Sequence, residues 1–293
     1  MPSSVVRVDG FTKPACQDWS RHRAARDVRP GFEGLPFPTP PLNITLVGYG
    51  RMGRAVEVIA VERGHHVVAR VDLGDQPDFL GPAAADVAIE FTQPEAAADN
   101  AKRIAEAGMD LVVGTTGWYH RLDEVASVVE RAGTGLLYAP NFSLGVHILF
   151  RMASRLGGLV SALDEYDVHV HEEHHRHKVD HPSGTARHLA EILVETLAGK
   201  TQWREGPSEG VPDPSTLWVS SARAGEIPGT HTIAVEGPDD RIELRHEART
   251  RSGFARGAVT AAEWIHGRSG VYSVEDMLMD LFGEATPKRR DDQ

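Results

Sequence analysis

The chain has 293 residues, room for one large domain or two moderate ones, and its 41% apolar and 25% charged content is that of a globular protein, not a fibre or a wholly disordered chain. A formal charge of −11 argues against general binding to nucleic acid or to an anionic membrane, since both need a basic face. The single cysteine, Cys16, excludes an intrachain disulfide and a thiolate metal cluster.

Residues 1–41 carry scattered arginines and end in Pro36-Phe37-Pro38-Thr39-Pro40-Pro41, with no period of 2 or 3.6. Such a segment buries too little to offset its chain entropy, so a disordered extension, or a start assigned too far upstream, is expected. No apolar run reaches the roughly 18 residues of a membrane span, and no secretory signal opens the chain, so a soluble cytoplasmic protein is expected. From Leu42 the pattern becomes regular. Asn43–Gly48 predicts a strand, Arg51–Arg63 a helix through Met52, Val56, Ile59 and Ala60, and His66–Val71 a second strand. Strand, helix, strand in about 30 residues is a crossover unit with parallel pairing. The alternation continues with strands at Asp86–Phe91, Asp110–Val113 and Gly135–Ala139, and helices at Pro94–Ala107 and Leu122–Arg131. Strands so continuously apolar are buried on both faces, as in a doubly wound sheet.

After Asn141 the character changes. Leu144–Leu156 and Gly184–Ala198 predict helices, and Glu165–Glu172, Thr216–Ala222, His231–Val235 and Ile242–His246 predict strands of an open mixed or antiparallel sheet. Helices at Ala255–Ile265 and Val274–Phe282 then return to the first domain. The expected division is a dinucleotide-binding domain over 42–143 plus 252–285, a substrate and oligomerisation domain over 144–251, and a tail over 286–293.

The turn Gly48-Tyr49-Gly50-Arg51-Met52-Gly53 sits between the first strand and the first helix. Its first glycine permits the tight turn, the second a close approach of backbone to a pyrophosphate, and the third close packing of helix on strand. Phosphates would rest on the unpaired N–H groups of the helix start. Asp72 closes the second strand, where a carboxylate takes the adenosine ribose hydroxyls. With Leu73 and Gly74 next, no cation follows for a 2′-phosphate, although Arg51 is within the loop; NADH is favoured over NADPH.

The stretch from His169 to Thr185 holds six histidines within 13 residues. A metal site is disfavoured, because Pro182 and Gly184 interrupt any helical i, i+4 pair and no thiolate is near. A solvated polar edge is a second reading. The favoured one is a basic pocket for a dicarboxylate: His174, His175 and Lys178 supply cations or donors, and Ser183-Gly184-Thr185 opens a helix whose N–H groups are carboxylate ligands.

The run Glu172-Glu-His-His-Arg-His-Lys-Val-Asp-His-Pro-Ser-Gly-Thr185 resembles the E-x-H-H-x-x-K-x-D-x-P-S-G-T signature of the 4-hydroxy-tetrahydrodipicolinate reductase family. Gly50-Arg-Met-Gly53, Glu90-Phe-Thr92, Gly114-Thr-Thr-Gly117, Ala139-Pro-Asn-Phe-Ser143, Arg223–His231 and Gly257–Trp264 fit the same family in order, so the resemblance covers Leu42 to Phe282. Two positions depart from it: the glycine loop is one residue shorter than in many members, and His181 stands where alanine is usual. The resemblance implies a Rossmann-like α/β fold with a second α+β domain, a homotetramer, and NAD(P)H-dependent reduction of a small cyclic dicarboxylate in diaminopimelate and lysine biosynthesis. It implies His174 as general acid/base and Lys178 as proton donor, with His175, Ser183, Gly184, Thr185 and Arg251 on the substrate carboxylates. Gly114, Thr115, Thr116 and the turn Ala139, Pro140, Asn141 and Phe142 would face the nicotinamide. An amino-acid or diamine dehydrogenase on the same scaffold, and a non-catalytic nicotinamide-responsive regulator, are the competing readings.

Overall fold

The structure is a computed structural model that describes residues 40–72, 85–206 and 210–282. Nearly all of the expected N-terminal extension, the Leu73-Gly74 pair, Cys16 and the C-terminal tail lie outside the described residues. By contacts the chain divides into two compact units. The first takes the chain up to Gly53, Ala60–Pro140 and the chain from Thr260 onward; the second takes Arg54–Ile59 and Asn141–Val259.

The first unit carries one six-stranded sheet. Its strands are β1 (Asn43–Val47), β2 (His66–Val71), β3 (Val87–Glu90), β4 (Asp110–Val113), β5 (Gly135–Tyr138) and a late strand, β11 (Gly270–Ser273), in the order β11-β5-β4-β3-β1-β2. Every pairing is parallel. β3 and β5 are buried throughout and β1 and β4 nearly so, as strands covered on both faces must be. The edge strands are different: β2 alternates exposed and half-buried positions, and β11 is half-buried along its length. The chain runs out from β1 to β2 and then crosses back to β3 on the other side of β1. That reversal is the switch point at which open α/β sheets bind ligands, beyond the carboxyl ends of the strands.

Among the helices, α1 (Arg51–Glu62) follows β1 directly. α2 (Pro94–Glu106) begins with proline in its first turn and buries Ala97, Ala98, Ala101, Ile104 and Ala105. α3 (Leu122–Ala132), preceded by a 3-10 turn at Tyr119–Arg121, stops at Gly133, whose left-handed φ of 70° closes the helix. These helices start and stop within a few residues of the expected bounds. β11 had no counterpart in the expectation, because Gly-Val-Tyr-Ser is too short to show a period.

The second unit is built on a mixed sheet of β6 (Asp167–His174), β7 (Gln202–Glu205), β8 (Thr216–Arg223), β9 (Thr230–Glu236) and β10 (Arg241–Glu247), in the order β10-β9-β6-β8-β7. β6, β7 and β8 run parallel, while β9 is antiparallel to both β6 and β10. α4 (Leu144–Val160) and α5 (Gly184–Thr196) bring Leu149, Ala153, Ala186, Leu189 and Leu193 into one core with Val168, Val170, Val219 and Ile233 of the sheet. α6 (Ser252–Ile265) and α7 (Val274–Phe282) complete the described helices. Of these, β7 was not expected; the rest fall where periodicity put them.

Candidate active site

Two groups of predicted residues form around loop ends, one in each unit. In the first unit the chain leaves β1 at Gly48 with φ of +92°, and a Cβ there would lie 2.1 Å from the Phe91 carbonyl oxygen that follows β3. A Cβ at Gly53 would lie 2.2 Å from the Gly48 carbonyl oxygen, and one at Gly114 would lie 2.0 Å from the Phe91 ring. Gly50, in contrast, has nothing within 4 Å of its missing Cβ. Gly48 and Gly53 are thus required by their approach to backbone, Gly114 leaves room for the Phe91 ring, and Gly50 leaves bare backbone facing open space. A cavity of about 340 Å³ opens here, lined by Gly50, Arg51 and Met52 from the glycine turn, Gly114, Thr115 and Thr116 after β4, and Phe91, Thr92 and Pro94 after β3. The glycine cradle and the start of α1 suit the pyrophosphate of a dinucleotide.

Hydrogen bonds fix the loops around that cavity. The Thr92 amide donates to Glu90 Oε1 at 3.0 Å and to Thr115 Oγ1 at 2.8 Å, and the Thr92 hydroxyl also reaches Glu90. Trp118 Nε1 donates to the Thr115 carbonyl at 2.8 Å. Thr115 is therefore committed to holding the turn, while Thr116 is exposed. Glu90 is fully buried; burial pushes its carboxyl up, against the opposing bonds from Thr92 and Thr115. At the far side of the turn the Arg70 guanidinium lies 5.8 Å from the centre of the Tyr49 ring, and Asp72, just past β2, is exposed. Arg70 is a cation that sequence reasoning passed over, because it sits inside a strand.

The nicotinamide turn expected at Ala139–Phe142 straddles the two units. Ala139 is buried and donates its amide to the Val113 carbonyl at 3.2 Å, and Pro140 is exposed. Asn141 and Phe142 open the longer stretch of the second unit; the Asn141 side chain accepts from the Ser143 amide at 2.8 Å, and the Asn141 backbone carbonyl accepts from His147 Nε2 at 2.8 Å.

The second group begins on β6. Its buried face reads Val168, Val170, Glu172, His174, two apolar residues followed by two ionisable ones. Register sets Glu172 opposite His231 of β9 and His174 opposite Arg223 of β8. Glu172 Oε2 is hydrogen-bonded to His174 Nδ1, and Oε1 accepts from Arg223 at 2.7 Å and from the Ser183 amide at 3.3 Å. Ser183 caps α5, its hydroxyl accepting from the Ala186 amide at 3.2 Å and bonding His231 Nε2 at 3.1 Å. The Ser183 hydroxyl is thus spent on the cap. Gly184, next along, is exposed with nothing near its missing Cβ, and Thr185 is half-buried. Lys178 bonds Asp180 at 2.7 Å. His175 is half-buried, and its Nδ1 is enclosed without a hydrogen-bond partner among the described residues. Arg251, at the start of α6, is exposed.

Glu172, His174 and His231 each have a donor atom within 4.8 Å of the others, a spacing that suits a metal ion. Arg223 and the Ser183 amide already bond the carboxylate and the Ser183 hydroxyl bonds His231 Nε2, while His231 Nδ1 is enclosed with no partner among the described residues. Burial, with His174 next, pushes His231 down to about 3, which keeps it neutral. For Glu172 burial acts upward, but the bonds from His174 and Arg223 outweigh it and bring the carboxyl down to about 2. A carboxyl lowered by folding stabilises the fold fully above its ordinary 4.5, and that contribution is lost as pH falls towards 2. Urea melts should therefore show stability falling across that window, with a shallower fall in Glu172→Gln; parallel falls would assign the acid limb elsewhere.

Residues 42–142 match the family described as dihydrodipicolinate reductase, N-terminus, and residues 145–278 match its C-terminus. The chain belongs to the dihydrodipicolinate reductase family. A 4-hydroxy-tetrahydrodipicolinate reductase of Christiangramia forsetii is 37% identical over 243 residues, covering 82% of this chain and 99% of that one. One from Neisseria gonorrhoeae is 33% identical, covering 81% and 97%. A dipicolinate-bound dihydrodipicolinate reductase from Paenisporosarcina sp. TG-14 shares the fold with a TM-score of 0.64, at 22% identity over 81% of this chain and all of that one. Membership of the dihydrodipicolinate reductase family, with its parallel nucleotide-binding sheet, brings a nicotinamide cofactor. It also removes the dehydrogenase and regulator readings. No described helix is long and apolar enough to cross a membrane.

Three residues of this reductase site escaped the sequence reading: Glu172 as the partner of His174, Arg223 and His231. The period of 2 along β6 would have paired Glu172 with His174. Arg223 and His231 needed the strand register, which no local pattern carries.

Proposed function

We propose that this chain reduces 4-hydroxy-tetrahydrodipicolinate to tetrahydrodipicolinate with NAD(P)H, in diaminopimelate and lysine biosynthesis. The observation that carries the reading is the α5 start: a donor-rich helix end at Gly184 and Thr185, joined through the Ser183 amide to the carboxylate that holds His174. A dicarboxylate needs N–H-rich or cationic anchors, and a reduced conjugated ring needs a proton.

The first unit takes the nucleotide, and the second takes the substrate. When bound, the nicotinamide supplies hydride to the ring. Gly184 and Thr185 hold one substrate carboxylate with His175, and Arg251 offers a cation for the other. The 4-hydroxyl leaves as water, so that substrate, reduced nucleotide and one proton give tetrahydrodipicolinate, oxidised nucleotide and water. Lys178 delivers the proton that quenches the charge left by the hydride, after releasing Asp180, and His174 acts as general acid/base. Gly114, Thr116 and the Ala139–Phe142 turn face the nicotinamide end. The enzyme works in the cytoplasm as a homotetramer.

Asp72 favours NADH, since a carboxylate accepts the ribose hydroxyls and repels a 2′-phosphate. Asp72→Ser is expected to move the ratio of kcat/KM values toward NADPH by about tenfold, roughly 1.4 kcal/mol. An unchanged ratio would assign the preference to Arg51 or Arg70. The reaction itself is tested by supplying the product of the preceding synthase with each nucleotide and following loss of reduced-nucleotide absorbance. No oxidation with either nucleotide sinks the proposal.

A further inference from the structure

Glu172 is a poor choice for a packing residue. It is wholly buried at a position where Val168 and Val170 precede it on the same face, and a buried carboxylate is costly unless it is paired and hydrogen-bonded. All of its partners belong to the loop and strands around His174. One oxygen bonds His174 Nδ1; the other takes Arg223 and the Ser183 amide. Arg223 in turn donates to the Asp180 carbonyl at 2.7 Å, which ties the 175–183 loop to the same carboxylate.

This arrangement dictates which nitrogen of His174 carries the hydrogen-bonded proton. A carboxylate is acceptor-only, so the proton between them belongs to Nδ1, and Nε2 is left for chemistry. The surroundings of Nε2 agree. It lies 2.9 Å from where a Cβ would stand at Gly229, and φ of +149° at that residue is a conformation open to glycine. A side chain there would block Nε2; glycine leaves it bare. His231 presses edge-on against the His174 ring at 5.2 Å between centroids and blocks rotation on that side.

We infer that Glu172 is the positioning residue of the reductase reaction: it fixes His174 as the Nδ1–H tautomer with Nε2 toward the substrate, and through the Ser183 amide it sets the start of α5 on the same carboxylate. The proton-handling nitrogen and the carboxylate-binding helix end are thereby referenced to one buried group. The inference rests on the reading of His174 as the general acid/base.

The test uses the full-length enzyme. In wild type, nitrogen NMR of histidine-labelled protein, with His174 assigned by its absence in His174→Ala, should report neutral His174 as Nδ1–H; an Nε2–H tautomer overturns the inference without any variant at Glu172. Glu172→Gln offers an amide donor to Nδ1 and should flip the tautomer, lower kcat about 100-fold, leave substrate KM within about threefold and move the pH profile of kcat. Glu172→Asp should restore at least tenfold of that loss. A folded Glu172→Gln enzyme with wild-type kcat and pH profile overturns the positioning role while leaving His174 untouched. A His174→Ala enzyme with wild-type kcat overturns the acid/base reading itself.

Discussion

Replacing His174 with alanine is expected to lower kcat by about 10² to 10⁴, the usual span for a general acid/base. His174 is 8% exposed, and its Nδ1 is taken by Glu172, so bulk water has little access to replace it. Lys178→Ala should act separately and cost about 100-fold in kcat, because Lys178 is on the loop, 21% exposed and paired with the exposed Asp180. Substrate KM should move less than kcat in both, since the anchors at Gly184 and Thr185 remain. Steady-state kinetics at saturating nucleotide separate the two parameters. Residual kcat within threefold of wild type in either variant would remove that residue from proton handling. If the two losses multiply in the double variant, the residues act at different steps; if the double equals the worse single, they act as a unit.

The second large effect is expected at Gly48. Alanine there meets two penalties. Its φ of +92° is a left-handed conformation, which costs a side chain about 1–2 kcal/mol, and its Cβ would come to 2.1 Å from the Phe91 carbonyl oxygen, backbone that cannot swing aside. Overpacking adds about 1–3 kcal/mol. The expected result is a loss of about 2–5 kcal/mol in urea melts, together with at least a tenfold weaker dinucleotide affinity, because the displaced turn carries Gly50. Gly50→Ala is the contrast. Nothing lies within 4 Å of its missing Cβ, so the fold should tolerate the methyl group while nucleotide affinity falls. Equal stability losses at the two positions would contradict this division between a packing glycine and a binding glycine.

The strand, glycine turn and helix of the first unit were legible because their signals are local. Gly48, Gly50 and Gly53 fall between an apolar strand and an amphipathic helix, and each glycine's role follows from distances within a few residues or to the next strand. The start of α5 was equally local: Pro182, Ser183 and Gly184 mark a helix opening, and the Ser183 hydroxyl caps it. What remained hidden depends on pairing across the chain. Arg223 reaches Glu172, and His231 reaches Ser183, only because β8 and β9 flank β6 in a particular register. The sheet order was hidden for the same reason. Gln202–Glu205 and Gly270–Ser273 are four-residue strands whose identity comes from the neighbours they join and not from their own sequence.

β11 has one more implication. It pairs with β5, yet Asn141–Val259, nearly all of the second unit, is translated between them. This edge strand of the first unit's sheet therefore leaves the ribosome only after the unit that carries His174 and Lys178 is complete. Chains are released domain by domain, and here the interrupted domain finishes second. Synthesis order thus gives the inserted unit the first opportunity to fold, and leaves one side of β5 an open edge until β11 arrives.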